Sequence, residues 1–197
     1  MKKIMCICGG MFVLSLTNTL LGAQSVKKLI RDLENEDPAT RTAAVQQLGQ
    51  SNDQKAVDPL IDKLQDPNPN VRGAVVDALG ELRAKKAKNK IAAILTSDSE
   101  GEVRQLAAIA LRTIGDDSIQ KPLITALNDT HIGTQLEAIK TAGSLRLQGT
   151  SDALIPKLTD DNPTVREYAV EALGKINDKK AIKSIEKLLD DPVIQVR

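Results

Sequence analysis

Residues 66–82 read Asp-Pro-Asn-Pro-Asn-Val-Arg-Gly-Ala-Val-Val-Asp-Ala-Leu-Gly-Glu-Leu, and copies of this stretch recur along nearly the whole chain. With Arg72 as the marker, the equivalent positions are Arg41, Arg104, Gln135, Arg166 and Arg197, spaced 31 or 32 residues apart. A fixed period of this size indicates stacked supersecondary units. Three, four and seven residues past the marker come Val75, Val76 and Leu79, and likewise Ala169, Val170 and Leu173, so apolar side chains line one face of a helix. A second run in each unit, such as Val57, Leu60, Ile61 and Leu64 or Ile182, Ile185, Leu188 and Leu189, carries the same period. Each unit is therefore expected to be a helix pair.

The joints repeat as well. Six residues before each marker stands Asn35, Asp66, Asp98, Asp129, Asp160 or Asp191, often next to a proline. Asn68-Pro69 and Asn162-Pro163 read as an N-cap followed by proline at the first helical position, where its missing N–H costs nothing. Ser99 with Glu102 reads as a capping box. Eight residues past the marker stand Gly49, Gly80, Gly143 and Gly174, with Arg112 as the exception, so small residues are expected to let neighbouring helices approach closely. Pro156 falls deep enough in its helix to shorten it.

The set Asp160, Val165, Arg166, Ala169, Val170, Leu173 and Gly174 resembles the HEAT-repeat family, in the short bacterial form also found in phycobilisome lyase subunits. The resemblance covers roughly residues 25–197. It implies an all-α solenoid of about five antiparallel helix pairs with the last repeat incomplete. It also implies an Asp-Arg ladder between adjacent repeats, drawn here from Asp66, Arg72, Asp98, Arg104, Asp160 and Arg166. Gln135 and Arg112 depart from the motif.

Residues 1–23 stand apart from the repeats. Met1-Lys2-Lys3 is a basic start, Ile4 to about Leu16 is apolar, and Ala23 supplies the small residue of a cleavage site, so the segment reads as a secretory signal peptide. Its apolar core is shorter than the roughly 20 residues that a membrane-spanning helix needs. Cys6 and Cys8 leave with it, and residues 24–197 form one repeat array without cysteine. Loss of Lys2 and Lys3 takes the net charge from +1 to −1, and Tyr168 becomes the sole aromatic residue. A near-neutral surface without aromatic platforms does not suit nucleic acid. The expected setting is periplasmic or extracellular in a bacterium, with no stable membrane insertion after cleavage. The tract from Asp191 to Arg197 reads as the opening of another Val-Arg helix, which suggests either a longer array or an end that pairs with another molecule.

Little in the chain points to chemistry. His131 is the only histidine, and one imidazole without cysteine or an acid cluster makes no zinc site. The Asp116-Asp117, Asp160-Asp161 and Asp190-Asp191 pairs read as helix caps rather than calcium ligands. No catalytic, metal or cofactor-binding residue is therefore expected, and the chain reads as a non-enzyme. Lys85-Lys86-Ala87-Lys88-Asn89-Lys90 is either a basic knob or a solvated turn. In HEAT-like arrays the outer row of the Val-Arg helices lines the concave face. There Gln105, Leu106, Ile109, Leu136, Lys140, Tyr168 and Glu171 are the candidate partner-binding residues, because four of them are large and apolar where the repeat asks for polar groups. With a slight rotation of the helices, these same groups instead tuck into the core. The expected function is an exported scaffold that binds another protein through this face. Two rivals stand beside it: an accessory subunit of a cofactor- or tetrapyrrole-handling enzyme, and a structural piece of a larger envelope protein.

Overall fold

The computed structural model describes residues 25–197, so the expected signal peptide lies outside the described residues. The helices are α1 (25–32), α2 (Pro38–Gln50), α3 (Val57–Asp62), α4 (Pro69–Glu81), α5 (Lys88–Ser97), α6 (Gly101–Ile114), α7 (Gln120–Ala126), α8 (Ile132–Ser144), α9 (Ser151–Leu154), α10 (Pro163–Ile176) and α11 (Ile182–Glu186). The even-numbered Val-Arg helices stack directly, α2 on α4, α4 on α6, α6 on α8 and α8 on α10. The shorter helices form a second layer, with α5 on α6 and α7 and with α7 on α8. The result is a two-layer α-solenoid.

Its core follows the repeat. Val75, Val76 and Leu79 on α4 are fully buried, as are Ala107, Ala108 and Leu111 on α6. Between the Val-Arg helices the glycines set the spacing. A Cβ on Gly49 would lie 2.9 Å from the Ala78 Cβ, and one on Gly143 would lie 2.6 Å from the Ala172 Cα. Gly174 has nothing within 4 Å.

The turns are built alike. Asn68 and Asn162 accept hydrogen bonds from the N–H groups of Asn70 and Thr164, with proline next in each helix. Asp53, Asp116 and Asp178 cap the short turns that lead into the second layer. Four residues at equivalent positions, Asn52, Arg83, Arg146 and Asn177, leave the Val-Arg helices in the left-handed conformation. One expected detail holds and one changes. Pro156 leaves α9 only four residues long, followed by a 3₁₀ turn over Ile155–Thr159. The Ser99–Glu102 capping box does not form: Glu100 is the N-cap of α6 without a side-chain cap bond, and Glu102 turns instead to His131 Nε2 at 3.3 Å.

Candidate interaction surface

The surface is held in register by arginines behind it. The Arg41 guanidinium donates through Nε and Nη2 to both carboxylate oxygens of Asp66, at 2.8 and 2.7 Å. Arg72 grips Asp98 at 2.7 and 2.8 Å, Arg104 grips Asp129 at 2.7 Å through both nitrogens, and Arg166 grips Asp191 at 2.8 and 3.0 Å. Each remaining Nη1 donates to the carbonyl at the start of its own turn, as Arg72 does to Asp66 at 3.0 Å. One side chain thus closes its own turn and ties it to the next repeat. Bidentate, charge-assisted bonds of this kind fix geometry as well as adding energy. Burial is the largest influence on the Asp66 and Asp98 carboxyls and pushes them up, but the arginine hydrogen bond, a backbone N–H and the nearby positive charge together hold both below the ordinary carboxylate value. At Asp129 and Asp191 the arginine hydrogen bond is the leading influence and lowers both.

The ladder differs from its sequence expectation in two respects. Arg41, Asp129 and Asp191 belong to it, and their marker positions were signal enough to include them. Asp160, by contrast, has no arginine. Its carboxylate accepts the Asn162 N–H at 3.0 Å and otherwise lies 3.9 Å from Lys157 Nζ. The cause is Gln135, whose shorter amide donates to the Leu127 carbonyl at 2.9 Å and does not cross to the next repeat. Repeat four uses hydroxyls instead. Thr134 and Thr141, both fully buried, donate to the Gly101 and Ala108 carbonyls of α6 at 2.9 Å.

On the outer row of the Val-Arg helices the expected binding residues fall into two groups. Leu106, Leu136 and Tyr168 are half-buried and pack against the core, so they are not the protruding anchors their positions suggested. Leu106 leans over α4, where a Cβ on Gly73 would meet its Cδ1 at 3.1 Å. Gln105 lies against Gly133. Glu137 receives Arg112 at 2.7 Å and Lys140 at 2.9 Å, and Lys140 Nζ stands 4.4 Å from the centre of the Tyr168 ring. Burial raises the Glu137 carboxyl, but Lys140 and Arg112 bring it below its ordinary value. Arg112 is the residue that breaks the glycine rule, and it bridges α6 to α8. Glu171 pairs with Lys175 on its own helix at 2.6 Å.

The open ground lies nearer the N-terminus. A depression of about 390 Å³ crosses α2, α4 and α6, lined among others by Gly73, Ala74, Val103 and Leu106 and by the acidic Glu100 and Glu102. Two more, of about 310 and 290 Å³, adjoin it along α4. Asp77 lines all three, and Ile109 lines the smallest. Together they make a furrow whose floor is Gly and Ala because those residues are small. Sequence reading followed large apolar side chains and so passed over a surface defined by small ones. In the Lys85–Lys90 run, Lys86 binds Asp58 and Lys88 binds Asp116, both at 2.5 Å, while Lys85 and Lys90 are exposed. His131 caps α8 by accepting the Thr134 N–H. Among the described residues no group of three or more His, Cys, Asp or Glu is placed to hold a metal ion, and no helix is long and apolar enough to cross a membrane.

Comparison with known proteins adds one sequence relative and two structures of similar fold. Deoxyhypusine hydroxylase-B from Oryza sativa subsp. japonica is 31% identical over 106 residues, spanning 52% of this chain and 35% of that enzyme. The expectation of a non-enzyme is thereby corrected, because a sequence relative is an enzyme. Among solved structures, the CpcE–CpcF complex of phycocyanin lyase from Nostoc sp. PCC7120 is similar with a TM-score of 0.69 at 21% identity, over 87% of this chain and 73% of that one. An engineered protein is similar with a TM-score of 0.66 at 21% identity, over 87% and 91%. Both likenesses are of fold. Residues 26–112 and 119–197 match the family described as HEAT repeats, and with the ladder and the two-layer stack this makes the chain a member of the HEAT-repeat family.

Proposed function

We propose that this HEAT array is a protein-interaction module that receives a segment of its partner along the furrow crossing α2, α4 and α6. The observation that carries the reading is the continuity of three open depressions around Asp77, on a floor kept low by Gly73 and Ala74. A groove with apolar walls and a polar rim suits a peptide that buries a few side chains and leaves its ends in water. Leu106 and Ile109 extend the walls toward Leu136, Lys140 and Tyr168, so a longer partner continues over α8 and α10. The basic and apolar sequence of residues 1–23 supports placing this role outside the cytoplasm.

A selection of random peptides displayed on phage, with the protein as bait, tests the reading. Gln46→Trp puts a bulky ring at an exposed position beside two of the depressions, whereas Ala93→Trp puts the same ring on the exposed side of α5. The wild type and Ala93→Trp should enrich a common set of peptides that Gln46→Trp does not bind. Equal enrichment by all three proteins, or by none, contradicts the furrow.

A second reading is favoured by the rice relative, namely hydroxylation of a deoxyhypusine side chain. This chain spans 35% of that enzyme, so the test is direct. Incubation with a deoxyhypusine-containing peptide, dioxygen and a two-electron reductant should add one oxygen atom to its mass, the second oxygen leaving as water, and an unchanged mass with both co-reactants present removes the reading.

A further inference from the structure

The carboxylates of the furrow differ from several elsewhere on the surface, among them Glu137 and Glu171 of α8 and α10, which are paired with cations. On the second layer each of several acids meets a lysine from a neighbouring repeat: Asp58 meets Lys86, Asp116 meets Lys88, Asp152 meets Lys180, and Glu34 meets Lys63. Along the furrow, Asp77, Glu81 and Glu100 make no salt bridge among the described residues, and the only cation lining these depressions is Arg83. Asp77 is exposed and sits where all three depressions meet. Glu81 bends across toward α2, so that a Cβ on Gly49 would lie 2.8 Å from its Oε2. The furrow thus pairs small apolar residues with carboxylates that make no salt bridge among the described residues and outnumber the one cation, Arg83.

We infer that the segment docked there is cationic: a partner strand or helix carrying a lysine or arginine that meets Asp77 and Glu81, flanked by an aliphatic side chain laid on Ala74 and Leu106. Shape alone admits many peptides, and complementary charge selects among them and speeds their encounter. Like charge also turns away acidic segments. This inference rests on the furrow being the docking surface proposed above.

The test separates the two claims. Peptides that the wild type enriches, and that Gln46→Trp does not bind, should be rich in lysine and arginine beside an aliphatic residue. Fluorescence anisotropy on one such peptide should show at least a tenfold loss of affinity in the Asp77→Asn/Glu81→Gln double variant, whose side chains keep nearly the same size. Affinity for the wild type should fall as salt rises and should change little with salt in the double variant. The Asp62→Asn variant, on the exposed side of α3, should bind as the wild type does. Furrow-dependent peptides with no cationic bias, or affinity untouched by the double substitution, would overturn the cationic partner while leaving the furrow in place. Absence of any furrow-dependent peptide would overturn both.

Discussion

Arg72 makes the case for the ladder at the scale of a residue. Its guanidinium spans two repeats, and the Asp98 side chain it holds is only 3% exposed. Replacing Arg72 with Ala strands that carboxylate, so a loss of about 3–5 kcal/mol is expected in urea denaturation. Gln135→Arg offers the reverse experiment, because Asp160 waits across the one interrupted rung. Completing it should add roughly 1 kcal/mol. Loss of stability on that substitution would mean that the Gln135 bond to Leu127 matters more than the missing pair. The ladder positions were legible because a repeated Asp and a repeated Arg are visible letters. The Thr134 and Thr141 bridges were not, because a buried threonine in place of valine or alanine looks like ordinary packing until a carbonyl is found beside it.

At the scale of the element, the stack is a matter of how closely helices touch. Gly143→Ala would push a methyl into the backbone of Ala172, and overpacking of this kind costs about 1–3 kcal/mol. Gly174→Ala occupies the same position one repeat later, where the added methyl meets nothing, so replacing the more flexible residue should stabilise α10 by about 0.5–1 kcal/mol. Opposite signs from one substitution at equivalent positions would be hard to obtain from helix propensity alone. Two losses, or two gains, in thermal melts of the pair would show that the spacing of α8 and α10 is not set by that contact. Most helices could be placed from the period of apolar residues and from Asn-Pro at their starts. The capping box could not, because Ser99 and Glu102 have the right spacing while His131, which comes from another repeat, claims the glutamate.

For the whole molecule, the four Arg–Asp pairs link its stability to acid. The four aspartates are held below their ordinary value in the folded chain. Their contribution is therefore complete above the unfolded carboxylate value, about pH 4, and drains away as pH falls through the lowered native values. The melting temperature should be level from about pH 7 to 5 and drop below about pH 4. A maximum at pH 3 would contradict the ladder. The solenoid itself was legible because its period repeats along residues 25–197, and each copy corroborates the others. The furrow was hidden, because it depends on where α2, α4 and α6 lie relative to one another and on what their side chains leave empty.

The central claim is that a partner docks along that furrow around Asp77. Mapping backbone amide shifts by NMR on titration with a peptide recovered in the selection tests it most directly. The account predicts changes concentrated over residues 46–50, 73–81 and 100–106. Changes concentrated on α3, α5 and α7, or none at saturating peptide, would contradict it.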